Sequence, residues 1–366
     1  MAFYHPLKNY TADPDYSNKQ SWISSRLLTL RHDLYLSIEK DRHPDSLIVG
    51  SWNIRAFDGG MPRMDESYHY IAEIIDHFDI CAVQEIKKDL WPLRRLKNLL
   101  GPNWDFFVSD ISTHKGGNNE RMAFVYNRNK VFFRNLIGEI VLPREDLIAG
   151  EQIARSPFFA SFQAGWFKFS LCSAHIIFGD DLGLRAAEIK AVTDALVKRS
   201  KSEDQVHIFL GDMNIESEDG EVMKAFKESK LTVPDFGPTN MGGDKWFDQI
   251  AFTVQGKASR KTRLIRHGAF DWRHSVYGPH PRTKVPDFLN LSPEDEQLGK
   301  KRLTKEEMVN HYEPVVRKFR EKYDKKPHSN FSNSYGSWAT HEISDHLPIW
   351  IELEIDYSDD YLRRFL

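Results

Sequence analysis

Short, almost wholly apolar runs recur along this chain, and each gives way to the same few kinds of polar residue. Leu47-Ile48-Val49 leads into Trp52-Asn53-Ile54, and Ile80-Cys81-Ala82-Val83 into Gln84-Glu85. Val206-His207-Ile208-Phe209-Leu210 ends at Gly211-Asp212-Met213-Asn214, and Asp345-His346 opens the segment Leu347-Pro348-Ile349-Trp350. Helical spacing lies between these strand-like runs. Tyr68, Ile71, Ile74, Ile75 and Phe78 form one stripe, and Ile189, Val192, Leu196 and Val197 another. Strand signals also fall at Phe106-Phe107-Val108, Met122–Tyr126, 167–174 and Asp248–Phe252, with a polar loop at 115–119. This alternation confines the chain to an α/β architecture in which helices cover sheets, with two stacked sheets left open.

The 366 residues suffice for one large domain with an elaboration, and 40% apolar with 13% aromatic content argues against general disorder. Two cysteines exclude a disulfide framework, and Cys81 and Cys172, set in apolar runs, read as buried free thiols. No run approaches 18 apolar residues, so no membrane span is expected. The start Met1-Ala2-Phe3-Tyr4-His5-Pro6 lacks a basic and an apolar leader region, so a soluble cytoplasmic protein is expected.

Ile23, Leu27, Leu30, Leu34 and Ile38 mark an early helical stripe, stopped by His43-Pro44-Asp45, that should pack on the outside of the main domain. The expected division is a 1–45 extension, a 46–356 domain and a 357–366 tail. The domain contains a basic insertion at about 256–340, with 18 Lys and Arg against 10 Asp and Glu in a chain of net charge −3. That insertion begins with Lys257, Arg260, Lys261, Arg263 and Arg266, followed by a Pro-containing stretch at 279–293. Thr304-Lys305-Glu306-Glu307 forms a capping box with Leu303 and Met308 as its staple, and Pro314 should end that helix or start the next.

Asn53, Glu85, Asp212, Asn214, Asp248 and Asp345 are oxygen donors at edges of expected strands, which would set them on one rim of a rigid scaffold. Mg²⁺ favours such ligands, and Asp212 and Asn214, at i and i+2, should face the same way. His175 and His346 are suited to donate to a phosphate or to move protons near neutrality. Singly, each has an ordinary alternative: a satisfied polar group for Asn53, a core histidine for His175, a loop salt bridge for Arg155. Their joint occurrence points to phosphoester chemistry.

In this order the motifs resemble the endonuclease/exonuclease/phosphatase superfamily, the deoxyribonuclease I-like group. They run Trp52-Asn53-Ile54, Gln84-Glu85, Glu120-Arg121, His175, Gly211-Asp212-Met213-Asn214, Asp248 and Ser344-Asp345-His346. The resemblance implies a two-sheet, four-layer α/β sandwich with the site at one edge, and a large insertion before the last core strand. It also implies Asn53, Glu85 and Asp345 at a catalytic Mg²⁺, for which Mn²⁺ is able to substitute. Asp212 and Asn214 would then orient nucleophile and phosphate, Asp248 would orient a histidine, and His346 would contact the scissile phosphate. Asn119-Glu120-Arg121-Met122 resembles the deoxyribonuclease I run in which Glu supports a catalytic His, here His175. Arg155 resembles that group's phosphate-contacting Arg. Lys87 stands where deoxyribonuclease I carries Arg, as in abasic-site endonucleases, and lacks the planar fork. With Arg121 and Arg155 it is expected at the substrate.

An endonuclease acting on DNA is therefore the leading expectation. Hydrolysis of a small phosphoester or phospholipid headgroup, and a non-enzymatic interaction module, are the alternatives. The basic insertion suits a polyanion through counterion release. Phe270, Trp272 and Tyr277, interleaved with Arg266, Arg273 and His274, would offer stacking platforms unless the segment is a structural flap.

Overall fold

The computed structural model describes residues 2–9, 19–57, 59, 62–112, 119–179, 181–254, 262–278, 284–323 and 331–366. Residues 115–118, Lys257, Arg260, Lys261 and 279–283 lie outside this set. One mixed sheet holds β1 (Ser46–Phe57), β2 (Ile80–Ile86), β3 (Trp104–Val108) and β4 (Arg121–Asn127). The other begins with β5 (Phe132–Glu139), β6 (Phe158–Ala164), β7 (Phe167–His175), β8 (Val206–Asp212), β9 (Leu231–Thr232) and β10 (Asp248–Thr253). Two late strands, β11 (Leu264–Ala269) and β12 (Ile349–Glu354), return to the first sheet, giving the orders β11-β12-β1-β2-β4-β3 and β5-β6-β7-β8-β10-β9. The helices are α1 (Lys19–Leu34), α2 (Asp65–Asp76), α3 (Trp91–Leu100), α4 (Leu182–Ser202) and α5 (Glu221–Lys227). After them come α6 (Pro293–Gln297), α7 (Lys305–Tyr323), α8 (Phe331–Glu342) and α9 (Ser358–Leu362).

The apolar runs do not alternate with polar residues because both faces of each sheet are covered. Leu47, Val49, Ile80, Phe124, Leu171, Ile208 and Ile351 meet between the sheets. Ile48, Trp52, Cys81 and Val83 face outward instead, under α1, α2, α7 and α8. Cys172, Phe209 and Ala251 lie under α4 and α5. This is the expected four-layer sandwich. None of the helices among the described residues is long and apolar enough to cross a membrane.

The early stripe is buried as expected, with Ile38 carried on by a π-helical turn, Tyr35–Glu39. The capping box is present: Thr304 and Glu307 each bond the other's backbone N–H. Pro314, however, sits inside α7 rather than at an end. The helix tolerates its missing N–H because Met308, Tyr312 and Val316 bury one face in the core. The strands β5, β6 and β11 carried no clear signal in the sequence. β5 is an edge strand with exposed residues, so no apolar pattern marks it.

The segment 256–340 contributes β11 to the sheet, paired with β12. The packing corrects its expected stacking platforms, and its described cations Arg263, Arg266 and Arg273 have partners within the chain. Phe270, Trp272 and Tyr277 are core residues and offer no stacking surface. Arg263 pairs with Glu354 (3.2 Å) and Asp360 (3.3 Å), Arg266 with Glu352 (2.6 Å) and Arg273 with Asp271 (2.6 Å). Those cations are already matched by carboxylates of the chain itself.

Glu342, at the end of α8, is buried and accepts from Met64 N (2.8 Å) and Ser67 Oγ (2.6 Å), locking α8 to the start of α2. Burial pushes its pKa up to about 7, against the pull of Ser67, Met64 and Arg63. Between pH 4.5 and 7 the folded chain therefore holds a proton that the unfolded chain has lost. Stability should fall by up to about 3 kcal/mol as pH rises through that window. In Glu342→Gln this slope should vanish, as read by urea unfolding at pH 5 and pH 8. Equal slopes in both proteins would contradict the assignment.

Candidate active site

The expected residues collect at one end of the sandwich because of strand direction. β1 and β2 run parallel and carry Asn53 and Glu85 in their C-terminal halves, at or next to the break in their pairing, while β7 and β8 run parallel with His175 opposite Asp212. β10 runs antiparallel to β8, so its first residue, Asp248, lies opposite Asp212. β12 is antiparallel to β1, which brings the preceding His346 to the same rim, and Glu120 precedes β4, antiparallel to β2.

Local irregularities aim these side chains. The β1–β2 register breaks between Asn53 and Phe57, and the β2–β4 register between Val83 and Ile86. Glu85 itself has φ 60° and Ala56 φ 44°, left-handed backbone that bulges beside active sites commonly use. Glu85 Oε2 then accepts from Ala56 N (2.8 Å) and Oε1 from Asn53 Nδ2 (2.9 Å). Gly211 is required by close approach: at φ 134°, a Cβ there would stand 2.0 Å from Ala174 O of β7.

Two buried histidine–carboxylate pairs face Asp212. His346 Nδ1 is 2.8 Å from Asp248 Oδ2, and its Nε2 is 3.8 Å from Asp212 Oδ2. His175 Nδ1 is 3.1 Å from Glu120 Oε2, and its Nε2 is 3.5 Å from the same Asp212 oxygen. Asp212 also receives Asn53 Nδ2 (3.0 Å) and Asn214 N (2.9 Å). Burial works against charge on His346, but Asp248 and then Asp212 outweigh it and hold its pKa well above the ordinary imidazole range. Burial likewise opposes ionisation of Glu120, yet His175, Lys87 and Arg155 pull its pKa down to about 2. Lys87 Nζ lies 2.9 Å and Arg155 Nε 3.4 Å from that carboxylate.

Other expected residues sit differently. Asn214 is beyond the end of β8 at φ 50°, and its amide nitrogen bonds Ile176 O (2.7 Å). It therefore does not share a strand face with Asp212, as the i, i+2 spacing suggested. Asp345 is 43% exposed and turns towards Arg55 (3.7 Å). Arg121 bonds Ser109 O (3.4 Å) and, with Arg155, Glu85, Glu120 and His175, lines a small cavity of about 70 Å³. Thr239, which carried no sequence signal, fixes Asp248 by donating to its Oδ2 (2.7 Å) and accepting its N–H (3.0 Å). Ser344 Oγ staples the His346 loop to Asn53 O (2.5 Å), and Trp52 Nε1 bonds His346 O (3.0 Å).

Among the described residues, two groupings at this rim could hold a metal ion. Asp212, Asp248 and His346 bring ligand atoms within 4.8 Å of one another. The 2.8 Å hydrogen bond between Asp248 and His346 would have to part for both to ligate. Asn53 and Glu85, beside Asp212, form an all-oxygen alternative. Asn53 spends its amide nitrogen on the two carboxylates and leaves a buried Oδ1 with no hydrogen-bond partner, which suits a hard cation.

An α/β sandwich with a rim of carboxylates, amides and paired histidines defines a class of phosphoester-handling proteins. The chain belongs to the endonuclease/exonuclease/phosphatase family, whose pattern it matches over residues 50–346. Members are generally hydrolases of phosphoester bonds. Among solved structures it is similar to an endonuclease/exonuclease/phosphatase family protein from Bacteroides thetaiotaomicron, at 16% identity and TM-score 0.51, covering 86% of this chain and all of that one. A mannosyl-6-phosphatase of the same organism gives 15% identity and TM-score 0.51 over 84% and 99% of the two chains. The human nocturnin catalytic domain, solved with bound sulfate, gives 15% and 0.51 over 86% and 95%. No protein of the curated collection matches the chain by sequence.

Proposed function

We propose that the protein is a metal-dependent phosphodiesterase, with Mg²⁺ as the metal, acting on DNA as an endonuclease. The observation that carries this reading is the pair of histidine–carboxylate couples on either side of Asp212. An alkoxide leaving group needs a proton, and the attacking water must lose one. Two couples provide separate groups for the two tasks.

Asn53 and Glu85 would hold the cation, which supplies charge neutralisation at the phosphoryl oxygens when bound. Asp212, fixed by Asn53 and Asn214, is placed to orient the attacking water between the two imidazoles. Asp248 keeps His346 protonated, so its Nε2 can donate on the side of Asp212. Glu120 Oε2 faces His175 Nδ1 at 3.1 Å, on the ring edge away from Asp212. Arg155 and Arg121 line the small cavity beside Glu85, Glu120 and His175, and Lys87 reaches this centre through Glu120; all three would meet the substrate phosphate. Asp345, beside Arg55, would act through His346 more than as a direct ligand.

A second reading, hydrolysis of a small phosphoester, is favoured by that narrow cavity and by the burial of Phe270, Trp272 and Tyr277. Likeness to a mannosyl-6-phosphatase agrees with it. The test is purified protein with supercoiled plasmid, single-stranded DNA, RNA, sugar phosphates and inositol phosphates, in Mg²⁺ or EDTA. Plasmid nicking in Mg²⁺, abolished by EDTA, is expected. Intact plasmid beside phosphate release from the small esters would replace the nuclease reading with the second.

A further inference from the structure

Two charged residues one turn apart on α4, Arg185 and Glu188, are buried at 1% and 3% exposure within the face that carries Ile189 and Val192. Arg185 meets the site through the Asn214 carbonyl and Glu188 through backbone N–H groups, yet burying such charges is costly unless they are employed. Their partners are backbone and side-chain groups of loops that border the site. Arg185 Nη1 donates to Asn214 O (2.7 Å), and Nη2 donates to Gly179 O and to Glu216 Oε1 (3.1 Å). Its guanidinium also lies 5.5 Å from the Phe178 ring centre. Glu188 accepts from Ala154 N (3.0 Å) at Oε1 and from Ile177 N (3.2 Å) at Oε2.

These contacts reach three separate loops. Ala154 precedes Arg155; Ile177 and Gly179 follow His175; Asn214 and Glu216 follow Asp212. One helix turn thus grips every loop carrying a site residue of the second sheet except that of Asp248. We infer that Arg185 and Glu188 are positioning residues that set the mutual spacing of Arg155, His175 and Asp212. The inference rests on the proposed site being the one that acts. The guanidinium fork matters because it serves carbonyls of two loops at once, which a lysine ammonium on a flexible stem does not. Displacement of reacting groups by about 1 Å can cost about 10²-fold in rate, so a loosened grip should appear in turnover before stability.

The test uses Arg185→Lys and Glu188→Gln in the full chain, with bis(p-nitrophenyl) phosphate as the probe and amide hydrogen exchange as a second readout. In Arg185→Lys, kcat should fall at least 10-fold while KM changes less than two-fold. Exchange should rise at 176–179 and 213–216 and stay unchanged in β7 and β8. Glu188→Gln keeps one oxygen acceptor, so its loss should be smaller and its exchange change confined to 154–155 and 176–177. Wild-type kcat in Arg185→Lys, or exchange that rises through β7 and β8 together with a fall in melting temperature, would overturn the inference. Should the wild-type protein hydrolyse no phosphoester, the proposed function fails, while the exchange pattern still decides whether the grip exists.

Discussion

Glu85→Ala should lower phosphodiester turnover by at least about 10²-fold, a loss of about 2.7 kcal/mol of transition-state stabilisation, with little change in melting temperature. The side chain is only partly buried, and its two hydrogen bonds go to Asn53 and to Ala56 N. What it supplies is a second carboxylate, with Asp212, on the amide of Asn53, whose Oδ1 is unpartnered. Glu85→Gln separates the two roles. It retains an acceptor for Ala56 N and the geometry of the bulge, but removes the charge a cation requires. If the residue serves the metal, the Gln variant should lose about as much activity as Ala and should need more Mg²⁺ for half-maximal rate. A Gln variant within three-fold of wild type, measured over an Mg²⁺ titration, would assign Glu85 to the fold instead.

His346→Ala should reduce kcat by a similar factor. Its imidazole is the group of the Asp248 couple that faces Asp212. The couple also makes the effect non-additive. Asp248→Asn in the His346→Ala background should cost little more, because Asp248 acts through the histidine it holds. Fully additive losses would mean that Asp248 acts by itself. The pH dependence of stability follows from the raised His346 pKa. A raised imidazole contributes stability that is whole below about pH 6.5 and fades as pH rises through its folded value. Wild-type protein should therefore lose more stability than His346→Ala on moving to alkaline pH, by urea unfolding. Removal of His346 leaves Asp248 buried, but burial already pushes that carboxyl's pKa up, so it can take a proton.

Much of the site was legible because its residues border apolar runs. Asn53, Glu85, Asp212 and Asp248 each adjoin a strand whose hydrophobic pattern is unbroken, and Glu120, His175 and His346 follow from motif order. The strand and helix positions around them agree with the structure. Arg185, Glu188 and Thr239 were not found. The first two did leave a trace, as charged residues one helical turn before Ile189 and Val192 on the same face. Thr239 left none, since it acts only through a loop that folds back on Asp248. Phe270, Trp272 and Tyr277 misled because interleaved aromatics and cations look alike in a binding surface and in a core sealed by internal ion pairs.

The order of residues by itself determined the α/β alternation, the strand edges and the oxygen and imidazole donors, since all of these depend on local periodicity and side-chain chemistry. Only the tertiary structure decided which donors share a site, because strand direction and register set that, and neither is encoded locally. It also decided that Glu85 is turned by a bulge and that Asp345 turns to Arg55. The charge of the 256–340 segment was legible, whereas the carboxylates that meet Arg263 and Arg266 were not, because Glu352, Glu354 and Asp360 reach them only once the chain has folded.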